Sequence, residues 1–480
     1  MYQPNLQIII KKLLKPTNNK TSGQYVSKLT IPIKLISKST HRLIKHFSIA
    51  ACAAFMIIAI GCEEPGNLGG NFLDEDANLE TRTIDPGSFE GYSTDVFTGK
   101  LRYMAIGHYD DPLFGEFQSI GIIKPGIDTT AIGSSISDDD TFKLRMVFSE
   151  TVYGDTQSTA NFEIYRAVNN WRGNELRFGQ SISYDDAQLV GEFSVDDTET
   201  VEVELDRSWI EEYNFFLSSE DDDRTSQYRD NFPGLVIVPA DENTKVLFAK
   251  VRPASGEEDS DLEYVRFVRE NGDENGDNND ENGNEENDNE DNDNGDNDND
   301  NDAEEDLRQF QRVFDWGALK NRSNPAENSE GTAIHNTLDR MAVMKPELDA
   351  DRIGSKNLAN VQLILYKDRA QLEATLPDGH HRPAVTRARI HLIESGSVSD
   401  HIFGQPPELI SELNTSDDTF RFNLTDYTNT VLFSTPRAGD FYLSVETING
   451  LTFSTLLFNE DAPEDVKPKI LITSVKSGSE

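Results

Sequence analysis

Cysteine is nearly absent from this 480-residue chain, which has two, Cys52 and Cys62. Beyond residue 62 there is none, so the rest of the chain has no thiol for a disulfide, a zinc-thiolate site or cysteine catalysis. Any fold there rests on packing. Long apolar runs are scarce too. The longest, Phe47–Ile60, has Ser48 as its only polar residue. As a helix it would span about 21 Å, short of the ~30 Å hydrocarbon core of a bilayer. With 36% hydrophobic residues and a mean hydropathy of −0.57, a multi-span helical membrane protein is excluded. Positive charge is in short supply: 44 Lys+Arg face 86 Asp+Glu, for a formal net charge of −42. A polyanion of this kind is repelled by nucleic acid rather than gaining affinity through counterion release, so no nucleic-acid partner is expected. HExxH, CxxC, GxSxG, GxGxxG and P-loop patterns are missing after Cys62. No catalytic residue, cofactor or metal is therefore expected, and the chain is read as a non-enzyme.

The charge is unevenly placed. Residues 1–46 hold nine Lys/Arg and no acid, and the first acidic residue is Glu63. A basic stretch followed by the apolar run Phe47–Ile60 has the form of a secretory signal. The run ends in Ala59-Ile60-Gly61-Cys62, which resembles the bacterial lipobox. That resemblance implies cleavage before Cys62 and a diacylglycerol on its thiol, hence a membrane partner held through a lipid anchor. The plain alternative is a short buried helix with two ordinary cysteines. Glu63 and Glu64 directly behind the cysteine resemble the signal that exports many Bacteroidota lipoproteins, which implies an outer-membrane, surface-exposed location. No Met lies between Met1 and Met56, so translation is expected to begin near residues 35–43. Residues 1–35 are therefore set aside for fold reasoning. Residues 1–61 are read as leader and 62–84 as a Gly-, Asn- and acid-rich tether.

From residue 85 the chain alternates apolar and polar positions. Phe142, Leu144 and Met146 do so, as do Val201, Val203 and Leu205; Ala388, Ile390 and Leu392; and Phe441, Leu443 and Val445. A period of two puts one face on a core and the other in water. Further strand-like runs occur at 161–168, 234–239, 245–251, 262–268, 361–366, 420–424 and 451–458, separated by Gly, Pro, Asn and Asp clusters. Residues 206–217 are the best helix candidate, with Asp206 placed to cap it. The fold class that follows is all-β and mainly antiparallel. It comprises two tandem β-sandwich-like domains, 85–268 and 310–478, with one short helix. Between them, 269–309 reads as a disordered acidic insertion. Residues 270–306 hold 19 Asp/Glu, 13 Asn, four Gly and one Ala, with nothing apolar enough to offset the entropy of ordering.

Certain segments carry a family resemblance. Tyr103–Gly115 reads YMAIGHYDDPLFG, Tyr153-Gly154-Asp155 precedes a strand, and Phe232–Pro239 reads FPGLVIVP. Together with Asn67-Leu68-Gly69-Gly70 and the lipobox, these segments resemble a Bacteroidota lipoprotein family defined by a domain of unknown function. The resemblance covers about 67–475. The chain departs from the pattern in its acidic insertion and in Gly107-His108-Tyr109, where a bulkier aromatic pair is common. The resemblance implies a lipid-anchored, two-part, β-rich outer-membrane protein and brings no catalytic residue with it. Asn161–Trp171 is also similar to strand-turn-strand segments of β-sandwich modules on surface polysaccharide proteins.

Candidate site residues remain. His380-His381, in a Gly/Pro turn, are read as solvated loop residues in preference to metal ligands, for want of a third ligand at suitable spacing. His391 is read as a surface residue. The run Asp291–Asp296 has the look of a calcium loop, but Glu290 and Asn301 stand where the first Asp and the final Glu of an EF-hand belong. The tract is read as an extended, self-repelling spacer. Among the aromatics, Trp171, Trp209 and Trp316 are the candidates for stacking against a sugar, with Tyr165, Tyr184 and Tyr366; Trp209 reads as core, and Trp171, after a strand at a turn, is the one read as the stacking residue. The function expected is a structural or binding module of the envelope. The alternative is a surface glycan-binding module, and the partner is a glycan or another envelope protein.

Overall fold

The computed structural model describes residues 79–475, apart from 88, 94–95, 197–199, 220, 272–307, 327, 329, 347, 349, 355–356, 394–407, 415–416 and 434–438. Cys62, the leader and most of the expected tether and acidic insertion lie outside the described residues. Among the described residues the architecture is all-β and mainly antiparallel, as the alternation predicts.

The larger body is built on a nine-stranded sheet. Its strands are β1 (Tyr103–Asp111), β2 (Gly115–Pro125), β3 (Tyr153–Asp155), β4 (Ala160–Ala167), β5 (Tyr184–Val195), β6 (Leu235–Pro239), β7 (Lys245–Lys250), β8 (Val313–Ser323) and β9 (His380–His381). They run in the order β9-β3-β7-β1-β2-β6-β4-β5, and β8 also pairs with β2. A four-stranded sheet packs with it, ordered 308–311, 266–270, 141–147, 200–204. The alternation read at 142–146 is real: Phe142, Leu144 and Met146 are fully buried between the layers. Helix α1 (Arg207–Leu217) closes this core. Asp206 caps it by accepting from the Ser208 N–H at 2.9 Å, and Trp209, Ile210, Tyr213, Phe216 and Leu217 face inward. A second long helix, α2 (Arg224–Asn231), follows, and among the described residues further helices span Thr129–Ile132, Ala350–Ile353, Arg369–Ala374 and Thr425–Phe433. The expectation of one helix is thus corrected. In α2 only Tyr228 is buried, so the segment carries no apolar period to read.

The smaller body is a sandwich of two sheets. One runs 79–84, 469–475, 358–366, 419–423; the other runs 89–92, 341–344, 440–445, 387–393, 408–414. Leu363, Phe420 and Ile472 from the first meet Ala388, Ile390, Leu443 and Val445 from the second in one core.

The sheets do not follow the domain boundaries read from the sequence. Leu79–Ile84, assigned to the tether, pairs along its whole length with Ile470–Val475. Phe89–Tyr92, assigned to the first domain, pairs with Met341–Met344. Conversely β8, assigned to the second domain, lies along β2 in the larger body. Five of the six residues in Leu79–Ile84 are exposed, so the strand shows no alternation and only its distant partner reveals it. The strand read at 262–268 is Arg266–Glu270; Asp261 and Leu262 turn, and their carbonyls take hydrogen bonds from Arg145.

The acidic insertion also has a defined frame. Arg266–Glu270 and Arg308–Gln311 are adjacent antiparallel strands, and Glu270 stands opposite Arg308. The two side chains form an ion pair at 3.3 Å. The insertion therefore leaves and re-enters one ladder. Its ends are thus held a strand spacing apart, about 5 Å, and the reading of the tract between them as an extended spacer falls on 272–307, outside the described residues.

β8 also carries a buried cation. Lys320 is 1% exposed, and its ammonium donates to the Gly450 carbonyl at 2.9 Å. Burial lowers its pKa from 10.5 to about 8; Asp339 counteracts this and Arg322 adds to it. Between pH 8 and 10.5 the unfolded chain holds more of this proton than the folded one, so stability rises with pH over that window. Below pH 8 the amine is charged in both states and its cost is constant. Urea unfolding between pH 8 and 10 is expected to show a rise with pH that Lys320→Met makes smaller by about 2–3 kcal/mol, the remainder coming from Lys124, which burial also lowers to about 8. An unchanged slope in the variant would contradict this account of the buried lysine.

Candidate functional site

The outer face of β5, β4 and β6 forms an open groove of about 730 Å³. Strand alternation puts Phe162 and Phe193 on the inner side, stacked at 4.9 Å, and sends Asn161, Glu163, Glu192 and Ser194 outward. Asn161 is fixed to the fold through Asn243, which is 2% exposed. Asn243 Oδ1 accepts from the Asn161 N–H and its Nδ2 donates to the Asn161 carbonyl, both at 2.8 Å. Ser194 Oγ donates to Asn161 Oδ1 at 2.7 Å.

Tyr184 lines the groove, and Tyr165 stacks on it. The β4–β5 ladder shifts register on both sides of Tyr165, so that Ala167 stands opposite Tyr184. The bulge brings the rings of Tyr165 and Tyr184 into a stack at 5.1 Å and 26°. Tyr165 Oη donates to Glu163 Oε2 at 2.8 Å. That bond to a carboxylate pushes the phenol up to about 12, so it stays a neutral donor. Glu163 and Glu192 occupy directly opposed ladder positions. Like charges so placed destabilise a sheet, and a ligand rich in hydroxyl donors would relieve them. Asp241 and Glu242 add further acid at the rim, and no basic side chain lines the groove.

Trp171 is not part of this surface, which corrects its reading as a stacking residue. It is 7% exposed, its Nε1 donates to the Pro233 carbonyl at 2.7 Å, and Lys124 Nζ sits 4.8 Å from its ring centroid. It packs in a small core with Ile122, Leu176, Val236 and Leu319, which Tyr184 flanks. Trp209 is fully buried, as expected, and Trp316 is 9% exposed. Tyr366 lies in another sheet, under Lys469. Of the aromatic candidates, then, Tyr165 and Tyr184 come together and the others do not.

The motif residues serve the frame instead. Asp111 is fully buried and accepts from Arg382 Nε and Nη2, both at 2.7 Å. It also accepts from Tyr153 Oη at 2.9 Å and from the N–H groups of Leu113 and Phe114. Burial alone would raise this carboxyl, but the bonds and charge of Arg382 and the two backbone donors hold it below its ordinary value. Arg382 spends its remaining donors on Leu372 O and on Thr375 O and Oγ1. Gly154, between Tyr153 and Asp155, has φ +117°, and a Cβ there would lie 2.3 Å from the Thr244 carbonyl oxygen. The motifs thus mark a buried crossing point between distant segments.

The histidines are accounted for in the same way. His380 and His381 form β9 and pair with Asp155 and Gly154, which corrects their reading as loop residues. His381 Nδ1 is 2.7 Å from the Val152 carbonyl. His391 is partly buried and stacked on Tyr442 at 4.5 Å, not on the surface; burial, with Arg389 adding to it, lowers it to about 4. Among the described residues no group of three or more His, Cys, Asp and Glu is placed to hold a metal ion.

No family model matches the chain, and no curated protein matches its sequence. Comparison with solved structures gives faint likenesses. A candidate secreted protein from Parabacteroides distasonis aligns over 83% of this chain and 92% of its own, at 8% identity and a TM-score of 0.17. The N-terminal CBM22-1–CBM22-2 tandem domain of Paenibacillus barcinonensis Xyn10C aligns over 84% and 98%, at 9% identity and a TM-score of 0.12. The Macrobrachium rosenbergii nodavirus protein aligns over 84% and 90%, at 10% identity and a TM-score of 0.12. Likenesses at these scores carry no weight for fold or function.

Proposed function

We propose that this chain is a lipid-anchored, surface-exposed outer-membrane protein whose folded body is a non-enzymatic binding module for neutral carbohydrate. The observation that carries the binding reading is the stacked Tyr165–Tyr184 pair beside the opposed carboxylates Glu163 and Glu192. A pyranose ring offers an apolar face to an aromatic ring. Its hydroxyls donate to carboxylate and amide oxygens, which Glu163, Glu192 and Asn161 present. The same carboxylates repel uronates and sulfated glycans.

A glycan array is the test. Neutral oligosaccharides are expected to be retained and acidic ones rejected. Tyr184→Ala is expected to weaken retention about tenfold, within the worth of one aromatic contact. An array with no retained neutral glycan, or a Tyr184→Ala variant that binds as before, defeats the reading. The anchor has its own test. Cells fed labelled palmitate are expected to label the protein, and Cys62→Ser is expected to remove the label. An unlabelled wild-type product that keeps its leader contradicts the anchor.

A further inference from the structure

Lys124 is the next-to-last residue of β2 and is fully buried. Its Nζ donates to Asn170 Oδ1 at 2.6 Å and to the Trp171 carbonyl at 3.1 Å, with the Trp171 ring centroid 4.8 Å away. The Asn170 carboxamide is pinned from its other side. Its Nδ2 donates to the carbonyls of Arg229 and Asp230, at 3.0 and 2.9 Å, at the end of α2. An amine and an amide carbon are therefore held as neighbours. The amine is sealed by an indole, while Asn170 is open to solvent.

We propose that Lys124 and Asn170 join in an intramolecular isopeptide bond, a modification that cross-links β2 to the loop after β4. The neutral amine attacks Asn170 Cγ, the Nζ–Cγ bond forms and the Cγ–Nδ2 bond breaks. Nδ2 takes one proton from Nζ and departs to solvent as ammonia. The proton lost when the lysine ammonium became neutral ends on that ammonia, giving ammonium. No oxidant or other reactant is consumed. Proximity supplies the drive, since two groups fixed side by side react as if at very high concentration.

The surroundings suit an amine that reacts neutral. Burial lowers Lys124 to about 8; Asp315 and Asp230 favour its charged form and Arg172 opposes it. Asp315 already faces Lys100, and Asp230 faces Arg172 and Arg229. A covalent closure of this kind would brace the folded body in a chain that has no cysteine after residue 62 to do so.

The test is tryptic mass spectrometry on the purified, unaltered chain after incubation at pH 8. The expected product is a branched species joining peptide 103–143 to peptide 167–172, lighter than their sum by one ammonia. Lys124→Arg is expected to yield no such species. Intact mass alone does not decide, because Asn-Gly sites lose ammonia on forming succinimides; fragmentation across the Lys124–Asn170 link does. Recovery of the two peptides only as separate, unmodified species overturns the proposal, and this readout does not depend on whether any variant folds.

Discussion

Arg382→Ala is expected to destabilise the protein by about 3–5 kcal/mol, the cost of removing one partner from a buried ion pair. The pair is 7% and 0% exposed, so little solvent screens it. Removing the guanidinium leaves Asp111 charged, buried and supported only by Tyr153 and two backbone N–H groups. It also frees the acceptors of Leu372 and Thr375. Urea unfolding gives the number. A variant that also carries Asp111→Asn removes the stranded charge and should recover part of the loss. A cost under about 1 kcal/mol would place this pair among surface salt bridges and refute the role assigned to it.

Trp209→Ala is the second large effect, again about 3–5 kcal/mol. The indole is fully buried, lies nearly parallel to Tyr213 at 5.9 Å and contacts the Phe232 ring at 5.6 Å. Truncation opens a cavity at the heart of an aromatic cluster that cannot collapse around it, because α1 and the sheet facing it are each fixed by their own hydrogen bonds. Phe215, on the same helix and 70% exposed, provides the control. Its replacement by alanine should change stability by no more than about 0.5 kcal/mol. Similar losses for the two variants would mean that α1 is not oriented as described.

Local signals in the sequence were legible where a residue's environment is set by its near neighbours. The alternation at 142–146 and 388–392 marks core strands because one face of each meets a core, whereas at 441–445 both faces are buried, Tyr442 and Ser444 included. Asp206 marks the start of α1 because capping needs a donor two residues away. What stayed hidden depends on partners far along the chain. Leu79–Ile84 looks like tether until Ile470–Val475 is beside it. Arg382 gives no hint that it answers Asp111, 271 residues earlier. The candidate site shows the same limit. In the sequence Tyr165 and Tyr184 are only two aromatics, because the register shifts that stack them are a property of the ladder. Trp171 follows a strand at a turn, a position that leaves open whether the chain folds over it. Here Lys124 and the Pro233 carbonyl cover it.

Carbohydrate binding in the groove on β4, β5 and β6 is tested most directly by a crystal structure grown with a retained neutral oligosaccharide. The expected result is a sugar ring lying on the Tyr165–Tyr184 pair, with hydroxyls on Glu163, Glu192 and Asn161. A sugar bound on another face, with this groove left empty, would contradict it.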